Sequence, residues 1–237
     1  VKRKLIFLSP LILILLLVFL LIGAVFMPGL LPVLLKIGDR FAPGSLTYER
    51  AEGALAGPLR ISELSYLDGE TSISIGRIDL DWHPQCLVKQ KLCLDRLHLD
   101  QVEVRIAAAD EDAPEVVKET EPFQLPDIEL PFAFRLTDIA IRELTVWQGD
   151  QLLLPLEHFS VSVSGEEGSV SLAELRVKQG STHLQLSGQV SPQQHYPFSF
   201  DLDWAFDARD IPFELELPEQ LTALSLDGRG QLSGDMQ

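Results

Sequence analysis

Leu97-His98-Leu99-Asp100-Gln101-Val102-Glu103-Val104 is the stretch whose reading decides the fold. Its first half alternates apolar and polar, the period of a strand with one face buried. Two polar residues, Asp100 and Gln101, then interrupt the alternation before it resumes. In a straight strand the second apolar pair would point to the opposite face from the first. The gap holds no Gly, Pro or Asn, so a tight turn is not expected there. A bulge or bend at the gap returns Val102 and Val104 to the side of Leu97 and Leu99. The reading is one long, curved strand with a single apolar face.

The pattern recurs. Leu59-Arg60-Ile61-Ser62-Glu63-Leu64-Ser65-Tyr66 precedes it by 38 residues, and Ile139-Ala140-Ile141-Arg142-Glu143-Leu144-Thr145-Val146 follows 42 residues after it. Such spacings fall in the range of repeat architectures. Simple alternation fills much of the rest: Ser72 to Ile75, Ile78 to Trp82, Leu152 to Leu156, Val161 to Ser164, Leu184 to Leu186 and Phe198 to Trp204. The expected fold is mainly β, built from curved antiparallel strands with one apolar face. Such strands close as a barrel, stack as a sandwich, or curl into an elongated groove. The pattern alone leaves all three open, and an ordinary filled core with them. A helix is expected over 29–41, where Leu31, Leu34 and Leu35 follow helical spacing with Lys36, Asp39 and Arg40 facing elsewhere. A second, brief one is expected around Pro84 to Lys91.

The N-terminus carries Lys2-Arg3-Lys4 followed by an apolar run from Leu5 to Met27. Its 23 residues would span about 34 Å as a helix, enough to cross a hydrocarbon core of about 30 Å. Basic residues stay on the cytoplasmic side, which places the N-terminus in the cytoplasm and the rest across the membrane. A cleaved signal peptide is the rival reading, but its apolar core is shorter and ends in a small-x-small site that Gly23 to Pro28 lacks. Without the first four residues the chain has 16 basic and 35 acidic side chains, a charge of −19. That balance argues against nucleic acid, whose affinity comes from basic side chains on phosphates.

Cys86 and Cys93 lack the further Cys or His ligands that a metal site needs. In an oxidising compartment a disulfide is the expected state, the alternative being two unpaired buried thiols. Asp110 to Asp127, with seven acidic residues and three prolines, reads as a solvated linker. The organisation expected is therefore a basic tip and transmembrane anchor over 1–28, an amphipathic interfacial helix over 29–44, a first β unit with the disulfide over 45–107, the linker over 108–127, and further β units over 128–237. Gly228 to Gln237 reads as another strand beginning, so a longer chain is expected.

Catalytic motifs are missing from the sequence. It has no Gly-x-Ser-x-Gly elbow and no phosphate loop, and its five histidines are scattered. Asp79 with Asp81, and Asp201 with Asp203, each put two carboxylates on one strand face; the solvent face of an alternating strand explains both. Trp82, Trp147 and Trp204 are read as packing at strand ends. No cofactor, metal or enzymatic activity is expected.

The order of these features carries a resemblance. After the anchor and amphipathic segment come Ala-Glu-Gly-x-Leu-x-Gly-x-Leu-x-Ile at Ala51 to Ile61, then Ser65 to Gly69, Ile78 to Trp82, the paired cysteines leading into Leu94-Asp95-Arg96-Leu97, and the acidic linker. Across essentially its whole length the chain resembles the N-terminal part of the TamB family, the inner-membrane subunits of the translocation and assembly module, allied to AsmA-like, bridge-type lipid transfer proteins. The resemblance implies a long, β-taco-like structure whose hydrophobic groove crosses the periplasm and moves phospholipid from inner to outer membrane. It also implies a role in inserting outer-membrane β-barrels and autotransporters with a TamA-like barrel partner, contacted through the far C-terminal end of a longer chain. On that reading Leu97, Leu99, Val102, Val104, Ile139, Ile141, Leu144 and Val146 are the candidate groove lining. Acyl chains in the groove and the inner membrane are the expected partners. An assembly scaffold that templates client strands along a sheet edge is the competing function.

Overall fold

The computed structural model describes residues 29–108, 132–166, 168–191, 197–210 and 224–235, with the isolated positions Gly23 and Met27. Most of the expected anchor and the acidic linker lie outside the described residues. Among those described, no helix is long and apolar enough to cross a membrane.

The helix α1 (Leu31–Phe41) leads into an eleven-stranded sheet. Its strands are β1 (Ser45–Thr47), β2 (Arg50–Gly53), β3 (Leu59–Asp68), β4 (Thr71–Trp82), β5 (Lys91–Ile106), β6 (Ala133–Gln148), β7 (Gln151–Glu166), β8 (Ser169–Gln179), β9 (Thr182–Val190), β10 (Phe198–Asp207) and β11 (Ser225–Gly234). The spatial order is β1-β3-β4-β5-β6-β7-β8-β9-β10-β11, with β2 beside β1 along the same edge of β3. From β3 onward the order follows the chain, and β3–β4, β6–β7, β7–β8 and β8–β9 are joined by two-residue hairpins. Gly69 and Gly149 open two-residue turns with φ of +57° and +55°, the left-handed backbone that such hairpins require. Among the described residues nothing joins β1 to β11, so the curved sheet they form is open and not a closed barrel.

One pairing departs from the antiparallel expectation: β5 and β6 run parallel. The physical reason is the connection. Parallel neighbours need a crossover long enough to return to the starting end, and the linker after β5 supplies it. The result sets two copies of the strand motif side by side in register. Leu97 pairs with Ile139, Leu99 with Ile141, Val102 with Leu144 and Val104 with Val146. The same pairing joins the strands on either side of the linker into a single sheet.

The gap inside each motif is a bend. Glu63, Gln101 and Glu143 all have positive φ, between +51° and +57°. In both partner strands the residue at the bend drops out of the ladder together, so register is kept: Ser62 pairs with Arg77 and Leu64 with Ile75, while Glu63 and Gly76 stay unpaired. Gly76 lies directly against the bend of β5: a Cβ there would sit 2.6 Å from Gln101 Oε1, so the flexible Gln101 side chain would have to turn aside. Three aligned left-handed residues thus bend neighbouring strands along one line.

Between β4 and β5 the chain makes a short 3-10 turn, Pro84–Lys89. Cys86 in that turn is joined by a disulfide to Cys93 on β5, with Cα atoms 6.0 Å apart, and Cys93 is buried. The His83 amide donates to the Cys93 carbonyl at 2.9 Å, closing the same small ring from the backbone side. Replacing both cysteines by serine is expected to lower stability by about 2–3 kcal/mol, the loop-closure value for so short a ring. The shift in denaturant midpoint between the variant and the oxidised parent measures it.

Candidate functional site: an uncovered apolar face

The register lines apolar residues up in rows that cross the sheet perpendicular to its strands. One row runs Leu59, Leu80, Leu97, Ile139, Val161, Leu175, Leu186, Leu202. The next runs Ile61, Ile78, Leu99, Ile141, Phe159, Val177, Leu184, Trp204. Beyond the bend lie Leu64, Ile75, Val102, Leu144, Leu156, and then Tyr66, Ile73, Val104, Val146, Leu154. The eight residues singled out from the sequence are therefore the β5 and β6 members of four adjoining rows.

Among the described residues, only one end of this face is covered. Leu31 of α1 is buried against Leu59 and Ile61, with Leu35, Tyr48, Ala51, Leu64, Ile78 and Leu80 around them. Tyr48 Oη donates to the Pro32 carbonyl at 3.1 Å, and Asp39 Oδ1 accepts from the Leu46 amide at 2.8 Å. Those two bonds hold the helix onto the sheet. Past that cap, no described element packs over the rows. Val102 is buried by its neighbours in the sheet, but the other seven candidate residues are only half-buried. Leu154 and Leu184 remain 40% and 37% exposed. A water-filled protein surface seldom carries so continuous an apolar band unless something binds it.

The opposite face explains why this one is apolar. It holds a lattice of cross-strand ion pairs. Arg60 Nε donates to Asp79 Oδ1 at 2.5 Å, Arg142 to Asp100 at 3.3 Å, and His98 meets Asp138 at 2.8 Å. Arg105 lies over the Trp147 ring at 5.4 Å. Asp100, Arg142, Arg77 and the bend residues Glu63, Gln101 and Glu143 line one shared polar depression. Both gap residues of the motif thus lie on the wet side, and this keeps the apolar residues in phase. Exposed pairs contribute little stability each; their effect is to fix which face meets water. His158 sits in the same lattice. Burial first, then the cations Arg142, Arg176 and Lys178, hold its imidazole below the ordinary value.

Of the carboxylate pairs singled out from the sequence, Asp79 is taken up by Arg60, and Asp203 by His183 and Arg229. Among the described residues no group of His, Cys, Asp or Glu is arranged to hold a metal ion. Trp82 ends β4 and donates to the Leu55 carbonyl at 2.8 Å, and Trp147 stands near the end of β6. Trp204 lies mid-strand in β10 and not at a strand end, with its indole over Gly228.

A polar corner missed in the sequence closes the β9–β10 end. Asp210 accepts from the Ser181 and Thr182 amides at 2.7 and 2.8 Å. Asp207 accepts from the Arg209 side chain and amide, and these bonds draw its carboxyl down to about 2. Because the folded value is depressed, the unfolded chain binds more protons between the ordinary carboxylate range and about 2. The corner's contribution is therefore complete above that range and lost as pH falls through about 2. Protection of the Arg209 amide, taken relative to the intrinsic exchange rate at each pH, is expected to fall over that window in the parent and to show no such step in Asp207→Asn.

No curated protein matches the chain significantly. The family model described as TamB, N-terminal domain matches residues 15–125 and 110–237, two overlapping stretches that together take in nearly every position, including both sides of the parallel β5–β6 junction. On that match the chain belongs to the TamB family, as part of its N-terminal domain.

Proposed function

We propose that this chain is the inner-membrane-anchored, periplasmic segment of a bridge that carries phospholipid from the inner to the outer membrane, and so supports outer-membrane biogenesis. The observation that carries the proposal is the uncovered apolar face, whose rows run across the strands from the capped end towards β11. Each buried methylene is worth about 0.8 kcal/mol, so a pair of acyl chains gains ample affinity without a specific polar contact. A lipid moving along a row exchanges one aliphatic neighbour for another, with little change in energy at each step. The headgroup stays in water beyond the sheet's rim. On this reading transfer needs no catalytic residue, no cofactor and no metal.

The test is a photo-crosslinking amino acid placed one site at a time in cells. Leu99, Ile141 and Leu154 are expected to yield phospholipid adducts by mass spectrometry, and Arg96 and Arg176 on the wet face none. Absence of lipid at all three apolar positions sinks the proposal.

A second reading has one observation in its favour. β11 is exposed at nine of its ten residues and, among the described residues, is bonded only to β10. Its free edge offers an unpaired ladder to an incoming strand, the geometry by which a scaffold for β-barrel insertion would template its client. Crosslinks from β11 to an unfolded barrel protein, with none to lipid from the apolar rows, would favour that reading.

A further inference from the structure

The helix α1 has two apolar stripes, and the sheet uses only one. Leu31 and Leu35 face the sheet. Val33, Leu34, Ile37 and Phe41 form a second stripe that is 50%, 39%, 49% and 85% exposed. Lys36 and Arg40 border it, both exposed. The helix's one carboxylate, Asp39, is turned to the Leu46 amide. The outward surface is thus apolar with a cationic margin and no free acid, on a chain whose net charge is −16.

From this we infer that the outward stripe of α1 lies in the interfacial layer of the bilayer, with its apolar side chains among the upper acyl segments and Lys36 and Arg40 at lipid phosphates. Charge and apolarity together match that environment. Distance points the same way. The apolar run ends at Met27, four residues before Leu31, and four residues reach at most about 14 Å. If that run crosses the bilayer, Leu31 lies within about 14 Å of the hydrocarbon edge, inside or just beyond a headgroup layer roughly 5–8 Å deep, and the amphipathic stripe favours the helix lying along that layer. Two exposed turns of helix are also far too small for a stable protein interface of about 800 Å² per partner. Because the inner stripe is locked onto Leu59 and Ile61, the seated helix brings the first members of two apolar rows to the membrane surface. It would act as the doorway through which lipid reaches the face.

The inference rests on the membrane-anchored conduit reading, and its test separates the two. The full chain is placed in nanodiscs of phosphatidylethanolamine and phosphatidylglycerol, with its native disulfide intact. A nitroxide is attached in Val33→Cys or Ile37→Cys, and in Ser171→Cys on β8 as an aqueous reference. Collision with oxygen relative to a nickel chelate is expected to be several-fold higher at positions 33 and 37 than at 171. Nickel access equal to that at 171, or a label immobilised against protein, overturns the inference. A second variant, Val33→Asp with Ile37→Asp, changes only exposed positions. It is expected to leave the melting temperature unchanged and to cut lipid adducts at Leu99 several-fold, and undiminished adducts count against the doorway. Membrane-buried labels with no lipid at Leu99, Ile141 and Leu154 in the parent keep the interfacial helix and sink the conduit. Water-exposed labels with lipid at Leu99 do the reverse.

Discussion

Val102→Asp is expected to destabilise the sheet by about 4 kcal/mol or more, the sum of lost apolar burial and the burial of an unpaired carboxylate. Val102 is 7% exposed, in the row past the bend between Ile75 and Leu144, and neither neighbour offers the new charge a partner. Leu154→Asp is the informative contrast. Leu154 lies one row away on the same face but is 40% exposed, so its carboxylate stays hydrated and stability should change by no more than about 1 kcal/mol. The same substitution should nonetheless remove lipid adducts at its neighbour Val146, because a charge in the path makes the local position unfavourable for an acyl chain. Denaturant midpoints and adduct yields, measured on both variants, separate folding from function. Equal midpoints for the two would mean that Val102 is as wet as Leu154 and that the sheet does not bury its own centre.

The second large effect is at Gly188. It stands in β9 between Leu172 and Phe200, within an apolar row, and a Cβ built there would lie 2.1 Å from the Ser199 carbonyl oxygen and 2.6 Å from the Phe200 ring. The ring can turn aside, but the backbone oxygen belongs to the β9–β10 ladder and cannot. Gly188→Val therefore has to separate two paired strands. The expected loss is about 3 kcal/mol or more, at or beyond the upper end of ordinary overpacking. Amide exchange should show it concentrated in β9, β10 and β11, with β3 to β6 protected as before. Gly165 shows the same device earlier in the sheet, where a Cβ would meet the Phe134 ring at 2.4 Å.

Much of the architecture can be read from residue order. Alternation locates the strands, and the two-residue gap after Leu99 announces a bend because nothing else keeps Val102 in phase with it. The 3-10 turn and the helix before Ala42 are equally plain. Other features depend on information that a period of two does not carry. Alternation has no direction, so the parallel run of β5 beside β6 is invisible until the two motif copies are placed side by side. The left-handed residues Glu63, Gln101 and Glu143 give no signal, since none is the Gly or Asn that usually adopts that conformation. Gly165 and Gly188 look like ordinary strand glycines; only register reveals the rings set against them. In the candidate site, the eight apolar positions are legible as one face. That no described element lies over them is legible only in three dimensions, because a sequence does not show whether a second layer covers a face.

The aligned bends have a consequence for length. Because the three left-handed residues stand opposite one another across neighbouring strands, the crease they make runs perpendicular to the chain direction. Reach along the crease is thus counted in strands and is independent of how long each strand is. Neighbouring strands are spaced about 4.8 Å apart, so the nine steps from β1 to β11 measure roughly 43 Å. A protein built this way is a ruler graduated in hairpins: each added pair of strands extends it by about 10 Å without altering its cross-section.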